Sequence, residues 1–432
     1  MLKLDGATGE VLWSLFYAGP DGLDEAPLAV AADADGEVYV AGRGNLPNQA
    51  IDMLAMRLDA GDGHIVWMDH LHTAAGRDDI AWDLVIGEGG DPVITGVALD
   101  AAGAAVGVTR RLAAADGAVV WTATTTGVLN EFTTRGAWLA RLDDGDLAVC
   151  QRGYGSNGYD VLLARLAPGN GAARWSVRYD GPTHGGDLPR GMIRDAAGDL
   201  LVAGVQDAWW NYNFMLLKFN GTTGGLAWQA PGYDGPPGWY DAGTALVVGP
   251  DGDPVVTGLS DGSGTGWDIA TVGYDADTGA IAWSVRHDGA ASQSDEPRAV
   301  VAGTQGDLFV TGYGYGVGTG KDHLTLRYTL PATSAAPVPT LAARLEGARP
   351  NPFNPSTTVA FTLDRTQDAR LAVYGLDGRL VRELAAGTFP AGRHEVRWDG
   401  TTRTGQAAAS GAYLLVLDTP GGRAAARATL LK

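Results

Sequence analysis

The sequence predicts an all-β protein: a six-bladed β-propeller of 54-residue, four-stranded repeats, followed by a small immunoglobulin-like β-sandwich. Three observations lead there. Gly 64 and Pro 21 make about a fifth of the 432 residues, yet apolar residues still reach 45%. That mixture suits short strands joined by tight turns. No stretch repeats apolar residues at three- and four-residue spacing over several turns, so long amphipathic helices are not expected. Finally, one offset of 54 residues organises the first three-quarters of the chain.

The repeat is defined by glycines and tryptophans. A turn glycine recurs at Gly9, Gly63, Gly117, Gly171, Gly225 and Gly279. A tryptophan follows at Trp13, Trp67, Trp121, Trp175, Trp228 and Trp283. A second glycine series runs Gly36, Gly90, Gly198, Gly252 and Gly306, with Asp144-Gly145 in the third repeat. A third runs Gly42, Gly96, Gly204, Gly258 and Gly312, with Cys150 in the missing place.

Each copy reads as four strands, a to d, of four to seven apolar or alternating residues ending in turn chemistry. In the second copy a, b and d fall near 80–86, 91–97 and 119–124, and c corresponds to 53–59 moved one period on. The a–b and c–d connections are tight turns where glycine supplies positive φ; the b–c and d–a loops are longer and variable. Four antiparallel strands per unit make a propeller blade. The chain begins with c and d strands and ends its repeats with a, b and c. The N-terminal d strand is therefore expected to complete the last blade, leaving the first c strand surplus. The tryptophans are expected to pack structurally.

Charge is uneven. Residues 332–432 hold 12 Lys+Arg against 8 Asp+Glu, leaving 19 against 42 in residues 1–331. So acidic a surface repels phosphate backbones, and nucleic acid is not an expected partner. The single cysteine excludes an intrachain disulfide. No run of 18 apolar residues is present, so no transmembrane segment is expected. The opening MLKLDGATGEVLW has neither a basic n-region nor an apolar h-region, so it is not a signal peptide; it reads as the middle of a repeat, as in part of a longer chain.

No catalytic motif stands out: HExxH, GxSxG, P-loop and CxxC patterns are missing. Among seven histidines only His70 and His72 have close spacing, with no third ligand evident. Two patterned polar or aromatic features remain. A carboxylate precedes strand a at Glu25, Asp79, Asp187, Asp241 and Asp295, with Thr133 breaking the series. These five either cap their own loops by accepting backbone N–H bonds or ring the channel mouth and hold calcium; no other cofactor is expected. The long loops carry Trp209, Trp210, Tyr212, Trp239, Tyr240, Tyr313 and Tyr315, which can converge on one face to bind a glycan or protein.

Residues 331–343 form a Pro/Ala-rich linker between a propeller at 1–330 and a module at 344–432. In the module, five strands are expected near 357–363, 370–374, 395–398, 412–417 and 424–431, with a hairpin turn at Asp377-Gly378. That spacing suits an Ig-like sandwich with Trp398 and Tyr413 in its core.

The pattern DxxTGxxxW with "GDLFVTG" upstream resembles bacterial propeller repeats related to those of pyrroloquinoline-quinone enzymes and the SBBP type, over residues 1–330. The resemblance implies the fold, not quinone chemistry. Asn351-Pro352-Phe353-Asn354-Pro355-Ser356-Thr357 resembles the "NPFNPST" opening of C-terminal sorting domains of type IX secretion, a family that overlaps the Ig-like domain of flagellar hook-capping proteins. "VYGLDGRLVREL", "WDG", "SGAYLLVL" and the ending with Arg427, Leu430 and Lys432 continue it. Gly375 departs from it, standing where the family has Asp or Asn. The resemblance implies export to the cell surface or beyond, with the secretion machinery as partner. The expected function is thus an exported, non-enzymatic binding or structural propeller. The alternative is a secreted polysaccharide hydrolase or lyase using channel-mouth carboxylates.

Overall fold

The computed structural model describes residues 1–19, 25–45, 51–71, 78–128, 135–155, 158–182, 184–207, 211–235, 240–262, 264–289, 291–303, 306–329, 343–363, 366–375, 379–419 and 422–431. Trp209, Trp210, Trp239, His72, Thr133, Lys432 and most of the linker lie outside them. The chain divides into two compact units, Met1–Thr333 and Ser334–Lys432.

In the first unit, β1 (Leu2–Leu4) and β2 (Val11–Ser14) make a hairpin. Five four-stranded antiparallel meanders follow. The first is β3 (Ala26–Ala32), β4 (Val38–Asn45), β5 (Ile51–Leu58) and β6 (Ile65–Leu71). Next come β7 (Asp79–Ile86), β8 (Pro92–Leu99), β9 (Ala105–Leu112) and β10 (Val119–Thr126). The third contains β11 (Ala137–Arg141), β12 (Leu147–Tyr154), β13 (Tyr159–Leu166) and β14 (Ala173–Tyr179). The fourth contains β15 (Asp187–Arg194), β16 (Leu200–Asp207), β17 (Tyr212–Phe219) and β18 (Leu226–Gln229). The fifth is β19 (Asp241–Val248), β20 (Pro254–Gly262), β21 (Gly266–Tyr274) and β22 (Ile281–His287). A three-stranded sheet of β23 (Glu296–Ala302), β24 (Asp307–Gly316) and β25 (Gly320–Thr329) ends the unit. The a strands β3, β7, β11, β15, β19 and β23 touch one another in sequence, the arrangement of inner blade strands.

One contact recurs between neighbouring sheets and explains the repeat. Four of the indole N–H groups donate to a carbonyl in the next c–d turn: Trp13 to Ala60 at 3.3 Å, Trp67 to Ala114 at 2.9 Å, Trp121 to Pro168 at 2.9 Å and Trp228 to Ala276 at 3.2 Å, whereas the buried Trp175 N–H lacks a partner. A basic residue at the end of strand c donates to the same carbonyl: Lys3 to Ala60 at 2.5 Å, Arg57 to Ala114 at 3.0 Å, Arg111 to Pro168 at 2.9 Å and Lys218 to Ala276 at 3.3 Å. The turn glycines take positive φ and lie so close to the preceding indole that a Cβ would collide with it, as Gly117 does with Trp67. In the fifth copy this glycine is Gly224, not Gly225, which accounts for the one-residue shift of Trp228.

The third glycine series has a different cause. In five sheets the a–b pairing slips by one residue, as between Pro27 and Ala29. The bulged carbonyl points at the glycine opposite, where a Cβ would strike Ala26 O at Gly42 and Ala242 O at Gly258. The β11–β12 pair has continuous register, so Cys150 is accommodated there.

Closure by the N-terminal d strand is not what the sheets show. β2 pairs with β1, and β25 has β24 as its partner among the described strands. Trp13 packs with Val40, Leu54, Met56 and Leu58 and bonds the turn of the first full sheet. The hairpin thus takes the place of a preceding blade's outer half.

The second unit is a sandwich. One sheet holds β26 (Ala343–Arg349), β27 (Thr357–Leu363) and β30 (Gly392–Trp398); the other holds β28 (Gln367–Gly375), β29 (Leu380–Phe389), β31 (Gly411–Thr419) and β32 (Gly422–Leu430). Seven strands stand where five were expected. β26 carries three charges and a positive-φ Gly347 at a register break, and β29 mixes Ala and Gly, so neither shows clean alternation. Trp398 and Tyr413 lie in the core, 0% and 8% exposed, with Phe353, Phe361, Leu371 and Leu415.

The inter-sheet contact predicts two outcomes in denaturant unfolding of the whole chain. Trp121→Ala should destabilise by about 3–5 kcal/mol. Gly117→Ala should cost more than the roughly 1 kcal/mol of an ordinary positive-φ replacement, because the methyl also meets Trp67.

Candidate functional site

The carboxylate series sits where strand a begins. Asp79, Asp187 and Asp241 are first residues of β7, β15 and β19, and Glu25 and Asp295 immediately precede β3 and β23. The four aspartates are 0–3% exposed. Three accept the amide of a glycine six residues upstream: Gly181 N to Asp187 at 2.6 Å, Gly235 N to Asp241 at 3.0 Å and Gly289 N to Asp295 at 2.6 Å. The "DG" that opens each d–a loop is therefore folded onto the aspartate that ends it. Gly181 and Gly289 have no room for a side chain, since a Cβ would press on Asp187 or Asp295. Both oxygens of Glu25 and both nitrogens of His70 are buried without a hydrogen-bond partner.

These five do not form a common three-ligand group among the described residues. Asp187, Asp241 and Asp295 each cap a loop of their own sheet. Asp160 pairs with Arg178 through Nε at 2.5 Å, and Asp268 pairs with Arg286 at 2.6 Å. Arg286 also donates to Ser260 Oγ at 2.5 Å, beside Asp241. Burial pushes Asp241 up to about 6, helped by the nearby Asp234.

The aromatics separate into two groups. Tyr212 and Tyr240 meet at 5.4 Å with their rings tilted by 54°, and Tyr240 lies 5.9 Å from Trp267 at 33°. Tyr212 and Trp267 are 36% and 39% exposed. The Tyr240 hydroxyl accepts Arg190 Nη2 at 3.0 Å, which fixes the middle ring. Tyr212 starts a c strand, Tyr240 ends a d–a loop and Trp267 starts the next c strand, so two blades build one aromatic strip on the long-loop face. Trp267 escaped the sequence reading; the one signal for it is that it stands outside the 54-residue tryptophan series. Tyr313 and Tyr315 do not join this strip. Lys321 lies 4.1 Å over the Tyr313 ring and donates to its hydroxyl, with Arg298 at 5.3 Å.

Cys150 is fully buried, and burial pushes its thiol up, so it is unsuited to nucleophilic work. In the second unit the Asn351 side chain donates to Arg427 O at 2.9 Å and accepts Thr429 N at 2.8 Å. Phe353 exchanges backbone bonds with Thr429 and Leu431 at 2.9 Å. The "NPFNPST" segment is thereby sewn to the last strand, with Leu430 in the core. Pro352, Asn354, Pro355 and Arg427 remain exposed.

Blade-like meanders with capped loops, together with an Ig-like sandwich, define a β-propeller protein with an accessory β-domain. The chain belongs to the family described as outer membrane protein assembly factor BamB, whose model matches residues 1–265. Residues 351–421 match the FlgD Ig-like domain. No curated protein matches the chain. Similar solved structures include a quinohemoprotein alcohol dehydrogenase, ADHIIG, of Pseudomonas putida HK5, with 11% identity, TM-score 0.43, and 87% of this chain and 67% of that one covered. PorZ, a surface component of the type-IX secretion system of Porphyromonas gingivalis, shares 14% identity at TM-score 0.31. That match covers 99% of this chain and 62% of PorZ. An exo-β-1,3-galactanase of Phanerochaete chrysosporium shares 10% identity at TM-score 0.34, covering 85% and 91%. Among the described residues no helix is long and apolar enough to cross a membrane.

The raised Asp241 carboxyl has a pH signature. The unfolded chain releases this proton near 3.8 and the folded chain near 6, so stability from this group falls as pH rises between those values. Asp241→Asn retains an oxygen for Gly235. It should therefore unfold at higher denaturant than wild type at pH 7.5, by up to roughly 3 kcal/mol, with the gap closing by pH 4.

Proposed function

We propose that this is an exported, surface-associated binding propeller without enzymatic activity, its six repeat units serving as a scaffold for the aromatic strip. Tyr212, Tyr240 and Trp267 carry this reading. Two partly exposed rings flank a fixed third across two blades, a platform on which the apolar faces of sugar rings can stack. The acidic surroundings add hydrogen-bond acceptors for hydroxyls. The sequence resemblance of the C-terminal unit to type IX sorting domains supports delivery to the cell surface by that machinery, with exposed Asn354, Pro355 and Arg427 available for recognition.

One observation favours the alternative, a polysaccharide hydrolase or lyase: Asp241 is wholly buried with its carboxyl pushed up to about 6, as in a general acid. Against it, Asp187, Asp241 and Asp295 each accept an amide of their own loop, one per blade, which is a structural arrangement.

A glycan array followed by calorimetry tests the proposal. The intact protein should bind a subset of glycans, and a Tyr212→Ala/Trp267→Ala double variant should lose at least tenfold in affinity while keeping its unfolding midpoint. Unchanged binding in that variant removes this face from consideration. Release of reducing ends from a polysaccharide, abolished by Asp241→Asn, would instead establish the enzyme.

A further inference from the structure

Asp295, one of the expected ring members, lies with two other carboxylates that the repeat pattern did not single out as ligands. Asp268 comes from β21, Asp288 from the residue after β22, and Asp295 from the residue before β23. One carboxylate oxygen of each lies within 4.8 Å of the other two, a spacing that oxygens can share around a calcium ion at about 2.4 Å each. Asp268 and Asp295 are 5% and 1% exposed, whereas Asp288 is exposed.

The second observation is the state of Asp268. Its Oδ2 takes Arg286 at 2.6 Å, but its Oδ1 is buried with no hydrogen-bond partner. A buried carboxylate oxygen left bare costs free energy unless something positive meets it. Three carboxylates against one guanidinium also leave two negative charges in a half-sealed pocket. Exposed Asp288, whose Oδ2 takes only a long 3.4 Å bond from Ser292 Oγ, provides the open side through which an ion and its waters can enter.

We infer that Asp268, Asp288 and Asp295 form a binding site for one divalent cation of the calcium type, pinning the 288–295 loop to the c strand of the preceding blade. The same spacing recurs 108 residues earlier as Asp160, Asp180 and Asp187. There Asp180 is instead engaged by His184 Nδ1 at 2.9 Å, so that position is not part of the assignment. The other acidic group, Asp59, Asp62 and His64, is an exposed turn in which Asp62 and His64 bind each other at 2.6 Å.

The test uses the full chain stripped with EDTA, titrated with calcium chloride by calorimetry and followed by thermal unfolding. The expected result is one calcium per chain and a rise of several degrees in Tm. Asp288→Asn, a surface change that leaves the fold intact, should weaken calcium binding at least tenfold, and Asp180→Asn should not. The inference is overturned if wild type takes up no calcium, or if Asp288→Asn binds it as wild type does. Neither outcome depends on glycan binding.

Discussion

The propeller unit depends on a carbonyl that, in four of its c–d turns, receives two donors from the sheet before it. The indole N–H of the repeated tryptophan and the basic group at the end of strand c both converge on that oxygen. A bent meander has two faces that must be buried against neighbours, and hydrophobic contact alone would let adjacent sheets slide. A carbonyl bonded to an indole and a guanidinium sets the rotation and the height of one blade against the next. The turn glycine follows from it: the turn must curl with positive φ and press against the indole, and only a residue without Cβ does both. The basic residue in turn is held by an acid of its own sheet, Glu37 for Arg57 at 3.1 Å and Asp91 for Arg111 at 2.9 Å.

At the opposite, long-loop end, the buried aspartates do for the d–a loops what the tryptophans do for the c–d turns. Asp187, Asp241 and Asp295 each gather the amide of the glycine that starts their loop, so a variable segment returns to a constant point. This division lets the loops diversify without disturbing the blades. It also places functional novelty, including the Tyr212, Tyr240 and Trp267 strip, where the scaffold tolerates it.

The 54-residue repeat, its four strands and the Ig-like module were legible before any coordinates, because both rest on period and turn chemistry that survive in one dimension. The capping role of Asp187, Asp241 and Asp295 was among the readings the residues allowed, and it is the one their amide bonds match. Less legible was β26, whose Arg, Glu and Gly content shows no strand alternation and whose strand state comes from pairing with β27. The aromatic loop residues were recognised as a set, yet Tyr313 and Tyr315 turned to Lys321 while unlisted Trp267 completed the strip, since grouping depends on which loops meet.

By itself the sequence determined the repeat, the all-β class and the identity of the residues that recur, since each recurring Gly, Trp and Asp answers a local demand repeated in every blade. Only the tertiary structure decided which blade each recurring residue serves. β2 pairs with β1 and not with β25, so the first hairpin does not complete the last described sheet. Asp295 meets Asp268 and Asp288, not its counterparts in other repeats. A period tells which residues are equivalent; which of them are neighbours is set by the packing of one sheet on the next.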